Sequence, residues 1–371
     1  MIEFMTLELR PRLQICNAFI HLNKEVNSTG VKVKLTKENI EITIENKTTI
    51  FLIKFIKLIP DSLSALDVTK NWICFRAQTM SDPLLGSFKT QVITNLTFNA
   101  NSLKDSIKNI ELFNTGECHI MCTFCKNILS KDMYIKRILP VPDINYDPSE
   151  WFCCKHNHSN TNMYNLIPLE SDIFYGSFFF IVHASLFNHN LKVDENVILC
   201  SRCLHHLGKT HTDNSFKLWS CSVDYYSLRN STIKNATDPF NDFILAIKTS
   251  MTGIFGEEII LQYFVGKETH SLTIKPMDWH LNLMVEPKDI LRYNNIVTLQ
   301  RVSIVKVLYK YETNKNTPDS VNKTYCEVSF LVIKAGLEHL LTSTKRFPEV
   351  YRTAIDYSVG YICLDNFINN A

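Results

Sequence analysis

Two pairs of cysteines have the spacing of metal ligands. Cys122 and Cys125 form one C-x-x-C motif, and Cys200 and Cys203 form a second. Two thiolates at this spacing lie in one tight turn and reach a single ion, so two such turns supply the four sulfurs of a tetrahedral zinc site. Because residues 126–199 separate the motifs, the ion would close a large loop. A closed four-sulfur site has no open coordination position, and we therefore predict a structural zinc ion here.

The alternative interpretation of these motifs is a redox dithiol, which depends on the compartment and the surrounding fold. The first ten residues, Met1–Arg10, lack the basic segment and apolar core of a secretory signal. We therefore expect a cytoplasmic and nuclear protein, in which thiols stay reduced and clustered cysteines indicate metal. A redox pair would require a thioredoxin-like βαβ context, which the sequence around the motifs does not show.

A second cluster of donor side chains lies between the two motifs. Its members are Cys153, Cys154, His156 and His158. Thiols and imidazoles ligate zinc, and Cys118 and His119 are further candidate contributors to a second metal site. A neighbouring histidine also favours a thiolate, so Cys154 is the best candidate for a catalytic nucleophile. Ordinary packing is the third interpretation, and the sequence leaves all three open.

The charge balance excludes some classes of partner. The 371 residues include 39 basic and 37 acidic side chains, for a net charge of +2. Such a nearly equal balance of charges predicts no strong attraction to nucleic acid or to an anionic membrane. No stretch of the sequence approaches the roughly 18 uninterrupted apolar residues of a membrane span. We therefore expect neither direct nucleic-acid binding nor membrane insertion.

The elements that must position these residues are mostly β-strands. Hydrophobic residues alternate with polar ones over 31–35 and 40–44, which predicts a hairpin with its turn at Thr36–Asn39. The other predicted strands are 48–56, 71–78, 88–98, 173–184, 197–199, 216–223, 259–265, 271–274, 280–285, 302–311, 325–333 and 358–364. The pattern as a whole predicts a mixed, β-rich α+β fold built from antiparallel sheets.

A few helices are predicted in the C-terminal third. Asp238 and Pro239 combine an N-cap acid with proline at the first helical position, and Gly253 would end this helix. A second helix is predicted to begin near Lys334. Its inward-facing residues would be Leu337, Leu340 and Leu341. The predicted regions are a β-rich region at 1–115, a zinc-binding β-tent-like region at 116–235 and a mixed α+β region at 236–371.

The second cysteine motif continues in a pattern found in other zinc-binding domains. Residues 200–208 read C-x-x-C-x-x-H-L-G and resemble the second knuckle of zinc β-tent domains such as that of cereblon. Gly208 fits a tight turn after the knuckle. Cereblon-like domains have a ligand-lining tryptophan after this glycine, where this chain has Lys209. This difference argues against a small-molecule cage at that position.

Several separated motifs occur in the order found in one family. They are the two C-x-x-C motifs, Arg137–Pro142 (R-I-L-P-V-P), Trp151–Cys154 (W-F-C-C), Tyr175–Val182, Leu337–Thr344 and Tyr357–Ile362 (Y-S-V-G-Y-I). Over roughly residues 115–364 this order resembles the HECT-like ubiquitin ligase E3D family. The resemblance implies an E3 ubiquitin-protein ligase that receives ubiquitin from a ubiquitin-conjugating enzyme and directs it to substrate proteins. It also implies an alternative, a non-catalytic zinc-containing chaperone for the metallo-β-lactamase endonuclease of pre-mRNA 3′-end processing.

The chemistry of a HECT ligase requires an exposed, activated cysteine, which typically lies in an L-P-x-[AS]-x-T-C context that this sequence lacks. Cys326 and Cys363 fall in predicted strands, where a buried thiol is inert. Cys154 is the better candidate for a ubiquitin thioester, and scaffolding without a covalent step is the alternative. For the chaperone alternative, Leu139–Pro142 is a candidate stiff docking strand, and a structural turn is its other interpretation.

Overall fold

A computed structural model describes residues 2–10, 13–80, 118–141, 167–228, 231–251, 256–287, 295–314 and 322–363. The chain divides into two units, each assembled from segments that are distant in sequence. Unit 1 comprises Met1–Thr94, Ile274–Lys310 and Glu338–Ala371, and unit 2 comprises Asn95–Thr273 and Tyr311–Leu337. The three predicted regions divide the chain by sequence position alone and stay a prediction.

Strands predominate among the described residues. The N-terminal strands are β1 (Ile2–Arg10), β2 (Ile15–Leu22), β3 (Val31–Leu35), β4 (Asn39–Ile44), β5 (Lys47–Leu52), β6 (Ser64–Thr69) and β7 (Trp72–Gln78). The central strands are β8 (Cys118–Cys122), β9 (Arg137–Pro140), β10 (Asp172–Tyr175), β11 (Phe179–His183), β12 (Leu191–Asp194), β13 (Val197–Cys200), β14 (His206–Thr212), β15 (Ser215–Trp219), β16 (Val223–Ser227) and β17 (Thr232–Lys234). The remaining elements are α1 (Pro239–Ser250), β18 (Glu258–Val265), β19 (Glu268–Val285), β20 (Ile296–Thr298), β21 (Gln300–Thr313), β22 (Lys323–Glu327), α2 (Phe330–Thr344), β23 (Thr353–Ala354) and β24 (Tyr357–Cys363). The predicted β-rich α+β class is confirmed, and both described α-helices lie after residue 238.

Unit 1 is built on two sheets that share one hydrophobic core. The larger sheet has the strand order β23-β24-β21-β19-β1-β2-β7-β6, and the smaller one has the order β20-β5-β4-β3. Leu7 and Ile20 of the larger sheet belong to the same buried cluster as Ile42 and Phe51 of the smaller one. Burying each such side chain contributes about 1.5–3 kcal/mol. The hairpin of β3 and β4 confirms the turn that was predicted from alternating hydrophobicity.

Unit 2 contains the sheets that position the cysteine motifs. A seven-stranded sheet has the order β12-β13-β14-β15-β11-β10-β9, and a three-stranded sheet has the order β17-β16-β8. Ile120 and Val223 of the small sheet pack in one buried cluster with Ile198 and Leu218 of the large sheet. The first cysteine motif follows β8 and the second follows β13, so the two motifs come from different sheets.

Several predicted strands differ from the observed elements or lie outside the described residues. The strands predicted at 271–274 and 280–285 are one strand, β19, and those predicted at 48–56 and 216–223 extend past the ends of β5 and β15. The span 173–184 was predicted as one strand, but β10 and β11 form an antiparallel hairpin. Its turn is closed by the Gly176 amide, which donates to the Phe179 carbonyl at 2.8 Å. The predicted strand 325–333 is also wrong beyond β22, because Ser329 caps a helix there and its hydroxyl accepts from the Val332 amide at 3.3 Å. The predicted strand 88–98 lies outside the described residues.

The two described helices confirm most of the predicted signals. Asp238 caps α1 as predicted, accepting from the Phe240 amide at 3.0 Å. Helix α1 ends at Ser250, and Gly253 lies outside the described residues. Helix α2 begins at Phe330, before the predicted start, and Leu341 is exposed, so its predicted inward orientation is wrong. No described helix has the length and apolarity needed to cross a bilayer.

Small residues explain why the buried face of α2 differs from the predicted one. Gly336 is buried on this face, and a Cβ there would lie 2.3 Å from the Phe243 ring of α1. Leu340 and Ser343 continue the buried stripe. A pattern search that counts leucines overlooks glycine and serine, although these residues permit the closest approach between elements. The stripe therefore passes through Gly336, Leu340 and Ser343, and Leu341 faces solvent.

Candidate metal centre

The first cysteine motif forms a tight turn at the end of β8. The Lys126 amide donates to the Cys122 carbonyl at 2.9 Å, and the Cys122 amide donates to the Asn127 carbonyl at 2.9 Å. Lys126 has a φ of 57°, a left-handed conformation that lets the chain reverse after Cys125. The two thiols of the motif are thereby directed to the same side of the turn, a geometry that we call knuckle 1 (residues 122–127).

The second motif repeats this local structure at the end of β13. The Leu204 amide donates to the Cys200 carbonyl at 2.9 Å, and the Cys200 amide donates to the His205 carbonyl at 2.9 Å. Leu204 has a φ of 57°, the same value as its counterpart in knuckle 1. Knuckle 2 (residues 200–205) therefore has the same hydrogen bonds at the same spacing, although the two sequences share only their cysteines.

The four predicted metal ligands converge. The Sγ atoms of Cys122, Cys125, Cys200 and Cys203 all lie within 4.8 Å of one another. The Cys122–Cys203 and Cys125–Cys200 sulfur separations are both 3.6 Å, and all four cysteines are free thiols. A tetrahedral ion with metal–sulfur bonds of about 2.3 Å requires sulfurs about 3.8 Å apart. The cluster therefore has the size of a four-sulfur metal site, whereas disulfide sulfurs lie about 2.05 Å apart.

The electrostatics of the four thiols favour a bound cation. Burial raises the pKa of the Cys122 thiol. At Cys200 burial acts in the same direction, but the backbone amides of Cys203 and Arg202 outweigh it and lower the pKa to about 7. One thiolate therefore forms readily, and its negative charge opposes ionisation of the neighbours. A divalent cation removes this repulsion and allows all four sulfurs to ionise.

Side chains around knuckle 1 hold it in place. The buried Asp224 carboxylate accepts from the Thr123 hydroxyl at 2.9 Å and from the Ala236 amide at 2.7 Å through Oδ1. Its Oδ2 accepts from the Lys126 ammonium at 2.5 Å. The Asn127 side-chain amide reaches the Cys200 sulfur at 3.8 Å, across to the other knuckle. No C-x-x-C search identifies Asp224, because it lies about a hundred residues away on β16.

The residues that follow knuckle 2 have structural roles. His206 is mostly buried and packs edge-on against Tyr263 at 5.0 Å between ring centroids, and burial lowers its pKa to about 4. Gly208 was predicted to form a tight turn, which is wrong because the residue lies within β14. A Cβ at Gly208 would lie 2.0 Å from the Lys217 carbonyl oxygen of the paired strand β15. Glycine is therefore required for close approach of two strands.

Lys209, which replaces the cage tryptophan of cereblon-like domains, forms an ion pair. Its ammonium lies 2.6 Å from the Glu327 carboxylate, and Lys217 contacts the same carboxylate at 3.3 Å. The Lys217 ammonium also lies over the Phe179 and Trp219 rings, at 4.1 and 4.9 Å from their centroids. These aromatic faces are therefore occupied by a lysine of the same chain.

The second predicted cluster falls largely beyond the part of the chain that the structure describes. Cys153, Cys154, His156 and His158 all lie outside the described residues. Cys118, one of the two further candidate contributors to that site, is buried in β8, and burial raises its pKa to about 12. The His119 ring lies 3.3 Å from the Asp132 carboxylate. The role predicted for Cys154 as nucleophile stays a prediction.

Every described cysteine outside the knuckles is buried. These residues are Cys16, Cys74, Cys118, Cys221, Cys326 and Cys363. Burial raises the pKa of the Cys16, Cys74 and Cys221 thiols to about 12 in each case. Thiols in such surroundings are poor nucleophiles at neutral pH. The arrangement agrees with the interpretation of Cys326 and Cys363 as strand residues with inaccessible thiols.

The motif at 137–142 begins with an ion pair that the sequence did not reveal. Arg137 donates to both oxygens of the buried Asp172, at 2.9 Å from Nε and 2.5 Å from Nη2. These bonds lower the pKa of the Asp172 carboxyl below its usual value. The pair fixes β9 beside β10 in parallel register, at the edge of the seven-stranded sheet.

The two C-terminal motifs pack against each other within unit 1. The Ser343 hydroxyl accepts from the Tyr361 amide at 2.9 Å, and the Thr344 hydroxyl donates to the Val359 carbonyl at 2.7 Å. Gly360 permits this approach, since a Cβ there would lie 3.0 Å from the Ser343 oxygen. Both motifs therefore have a structural role, which is to fasten α2 to β24.

Comparisons with known proteins give one family. A family profile described as "HECT-like Ubiquitin-conjugating enzyme (E2)-binding" matches residues 8–359. The protein named E3 ubiquitin-protein ligase E3D in Rattus norvegicus is 31% identical over 109 residues, which cover 29% of this chain and 28% of that protein. The Homo sapiens protein of the same name is 25% identical over 250 residues, 61% of this chain and 59% of that protein.

The matches cover only part of the length of these relatives. The chain spans 28% of the Rattus norvegicus and Mus musculus proteins and 59% of the Homo sapiens protein. No solved structure matches the chain. The family profile, by contrast, covers nearly the whole chain, including both knuckles, the motif at 337–344 and the first three residues of the motif at 357–362. This protein therefore belongs to the HECT-like ubiquitin-conjugating enzyme (E2)-binding family.

Proposed function

We propose that this protein binds a ubiquitin-conjugating enzyme and acts as an E3 ubiquitin-protein ligase. The observation that carries the proposal is the match of the E2-binding family profile over residues 8–359. The names of the relatives, E3 ubiquitin-protein ligase E3D, support the ligase part of the proposal. In this role the chain would receive an E2 charged with ubiquitin and direct the transfer to a substrate protein.

We propose zinc as the metal of the knuckles and a structural role for it. Four thiolates in tetrahedral array are the donor set that zinc prefers among common cellular metals. Four protein ligands fill the coordination shell, so no position remains for a water molecule or a substrate. Cys122, Cys125, Cys200 and Cys203 would hold the ion, which would join the three-stranded sheet to the seven-stranded sheet of unit 2.

The buried thiols favour transfer by scaffolding over a covalent relay through the described residues. A ubiquitin thioester needs an exposed thiolate, and the six described cysteines outside the knuckles are buried. The knuckle thiolates would be bound to metal. Cys154 is the candidate nucleophile for a covalent relay, and its substitution separates the two routes.

The test is a reconstituted transfer assay with the full chain, ubiquitin, an activating enzyme and a panel of ubiquitin-conjugating enzymes. The proposal predicts that at least one E2 binds and that its ubiquitin is discharged faster when the chain is present. Scaffolding predicts the same rate for Cys154→Ser and no reducible ubiquitin adduct on the chain. A reducible adduct that disappears in Cys154→Ser would establish the covalent route. Failure of every E2 to bind would refute the proposed function.

A second candidate is a binding protein for a client, and the exposed edge strand β9 favours it. Leu139 and Pro140 are exposed on this strand, which is the last of the seven-stranded sheet. An extended segment of a partner can add to such an edge. The family resemblance suggests the endonuclease of pre-mRNA 3′-end processing as the client, in the nucleus and the cytoplasm. The test is copurification of the client with this chain from the nuclear and cytoplasmic fractions. Loss of the client in Leu139→Asp would support this alternative, and the same set of partners in Leu139→Asp as in wild type would contradict it.

A further inference from the structure

Two large apolar side chains project from the metal centre into solvent. Phe124 lies between the two cysteines of knuckle 1 and is 75% exposed, and Leu204 directly follows knuckle 2 and is 60% exposed. The Phe124 ring stacks over the His205 imidazole, with centroids 6.1 Å apart and an interplanar angle of 20°. The two side chains are therefore presented by adjacent turns. We call this surface, formed by Phe124, Leu204 and His205, the knuckle apex.

Folding alone does not explain the residue at position 204. The backbone there has a φ of 57°, a conformation that glycine or asparagine adopts at less cost than leucine. The equivalent residue of knuckle 1, Lys126, extends to the Asp224 carboxylate and so contributes to the structure. Leu204 instead places an apolar side chain in water from a strained position. Because this side chain lies beside the exposed Phe124 ring, the strain at this position points to a binding role.

The apex has the properties of an anchor for a protein partner. Aromatic and aliphatic anchors on a rigid support dominate the affinity of protein interfaces, because little conformational freedom is lost on binding. A metal bound by both knuckles would supply that rigidity. The exposed charges beside the anchors, Lys126 and Arg202, are both cationic, and Lys126 is neutralised by Asp224. The partner surface should therefore offer an apolar recess with a carboxylate near the position of Arg202.

We infer that the knuckle apex is the docking surface for the ubiquitin-conjugating enzyme. This inference rests on the proposed function and names the surface that performs it. The E2 is the partner that the family description specifies. A contact with two apolar anchors is small, and small interfaces suit transient complexes. A ligase needs such a complex, since each discharged E2 must leave before a charged one binds.

The test measures the affinity of the zinc-loaded full chain for the E2 that binds best in the transfer assay. Phe124→Ala and Leu204→Asn should each weaken binding about tenfold, and the double variant at least thirtyfold. Asparagine suits the left-handed backbone, so Leu204→Asn should keep the fold and the metal. Arg202→Glu should also weaken binding, and more strongly at low salt than at high salt. The matched control is Phe264→Ala, which removes another exposed phenylalanine of unit 2 and should leave the affinity unchanged.

The outcomes distinguish this inference from the proposed function. If the wild-type chain binds the E2 and the double variant binds it equally well with one metal per chain, the apex is not the docking surface and the proposed function stands. If the double variant loses a client protein while keeping the E2, the apex is a client site and the inference is wrong. If the wild-type chain binds no E2, both the function and the surface are refuted.

Discussion

Replacing Asp224 should loosen the metal centre without touching a metal ligand. In Asp224→Ala, the Ala236 amide and the Thr123 hydroxyl both lose the acceptor Oδ1, which they contact at 2.7 and 2.9 Å. Each lost bond to a buried carboxylate costs about 1–3 kcal/mol. Lys126 is more than half exposed and returns to water at little cost. We therefore expect knuckle 1 to be destabilised by about 3 kcal/mol, which corresponds to metal release about a hundredfold faster.

The matched variant Asp224→Asn separates these contributions. Asparagine keeps Oδ1 as the acceptor for Thr123 and Ala236 and loses only the ion pair with Lys126. Because the partner is exposed, this loss should cost less than about 1 kcal/mol and accelerate metal release less than about fivefold. The assay follows zinc transfer to a coloured chelator at several chelator concentrations. Asp194→Ala, at an exposed ion pair with Lys192, is the control. Equal release rates for wild type and Asp224→Ala would refute this reasoning.

Three further substitutions test other features of the structure. Gly208→Ala should destabilise unit 2 by about 3 kcal/mol, because the added Cβ would lie 2.0 Å from the Lys217 carbonyl oxygen. The control is Gly30→Ala, whose added Cβ meets nothing within 4 Å. Thermal unfolding of both variants measures the difference. Ile355→Gly should stabilise the protein by roughly 0.5–1 kcal/mol, since Ile355 is 99% exposed at a φ of 57°, and a lower melting temperature would contradict it. Burial raises the pKa of Asp242 to about 7, above its value in the unfolded chain. The stability that protonated Asp242 contributes is therefore complete below about pH 4 and is lost as the pH rises to 7. Asp242→Asn should flatten the dependence of the unfolding free energy on pH. At pH 8 the unfolding free energy of this variant should exceed that of wild type by on the order of 2 kcal/mol. Urea unfolding at pH 5 and pH 8 measures the difference.

Local spacing was sufficient to predict which four thiols come together. A C-x-x-C turn needs only its own six residues to direct two thiols to one side, and both knuckles have the same hydrogen bonds. The alternation at 31–35 and 40–44 and the Asp238 cap were informative for the same reason, since each depends on neighbours in sequence. Features of this kind can be derived from a single chain.

Features that depend on distant contacts could not be derived in this way. Gly208 looked like a turn residue because glycine is common in turns, but its role is set by the β15 backbone. Leu341 looked inward-facing because it is apolar, but the stripe of α2 follows Gly336, whose neighbour Phe243 is far away in sequence. Asp224 carries no local signal, and only the pairing of β16 with β8 brings it to knuckle 1.

In the proposed metal centre, four cysteines from two distant turns hold one zinc ion. The most direct measurement is the metal content of the purified chain, combined with X-ray absorption at the zinc edge. We predict one zinc per chain with four sulfur neighbours at about 2.3 Å, and loss of the metal in Cys200→Ser. A chain that folds with less than one zinc, a nitrogen or oxygen in the coordination shell, or a disulfide joining two of these four cysteines would contradict the claim.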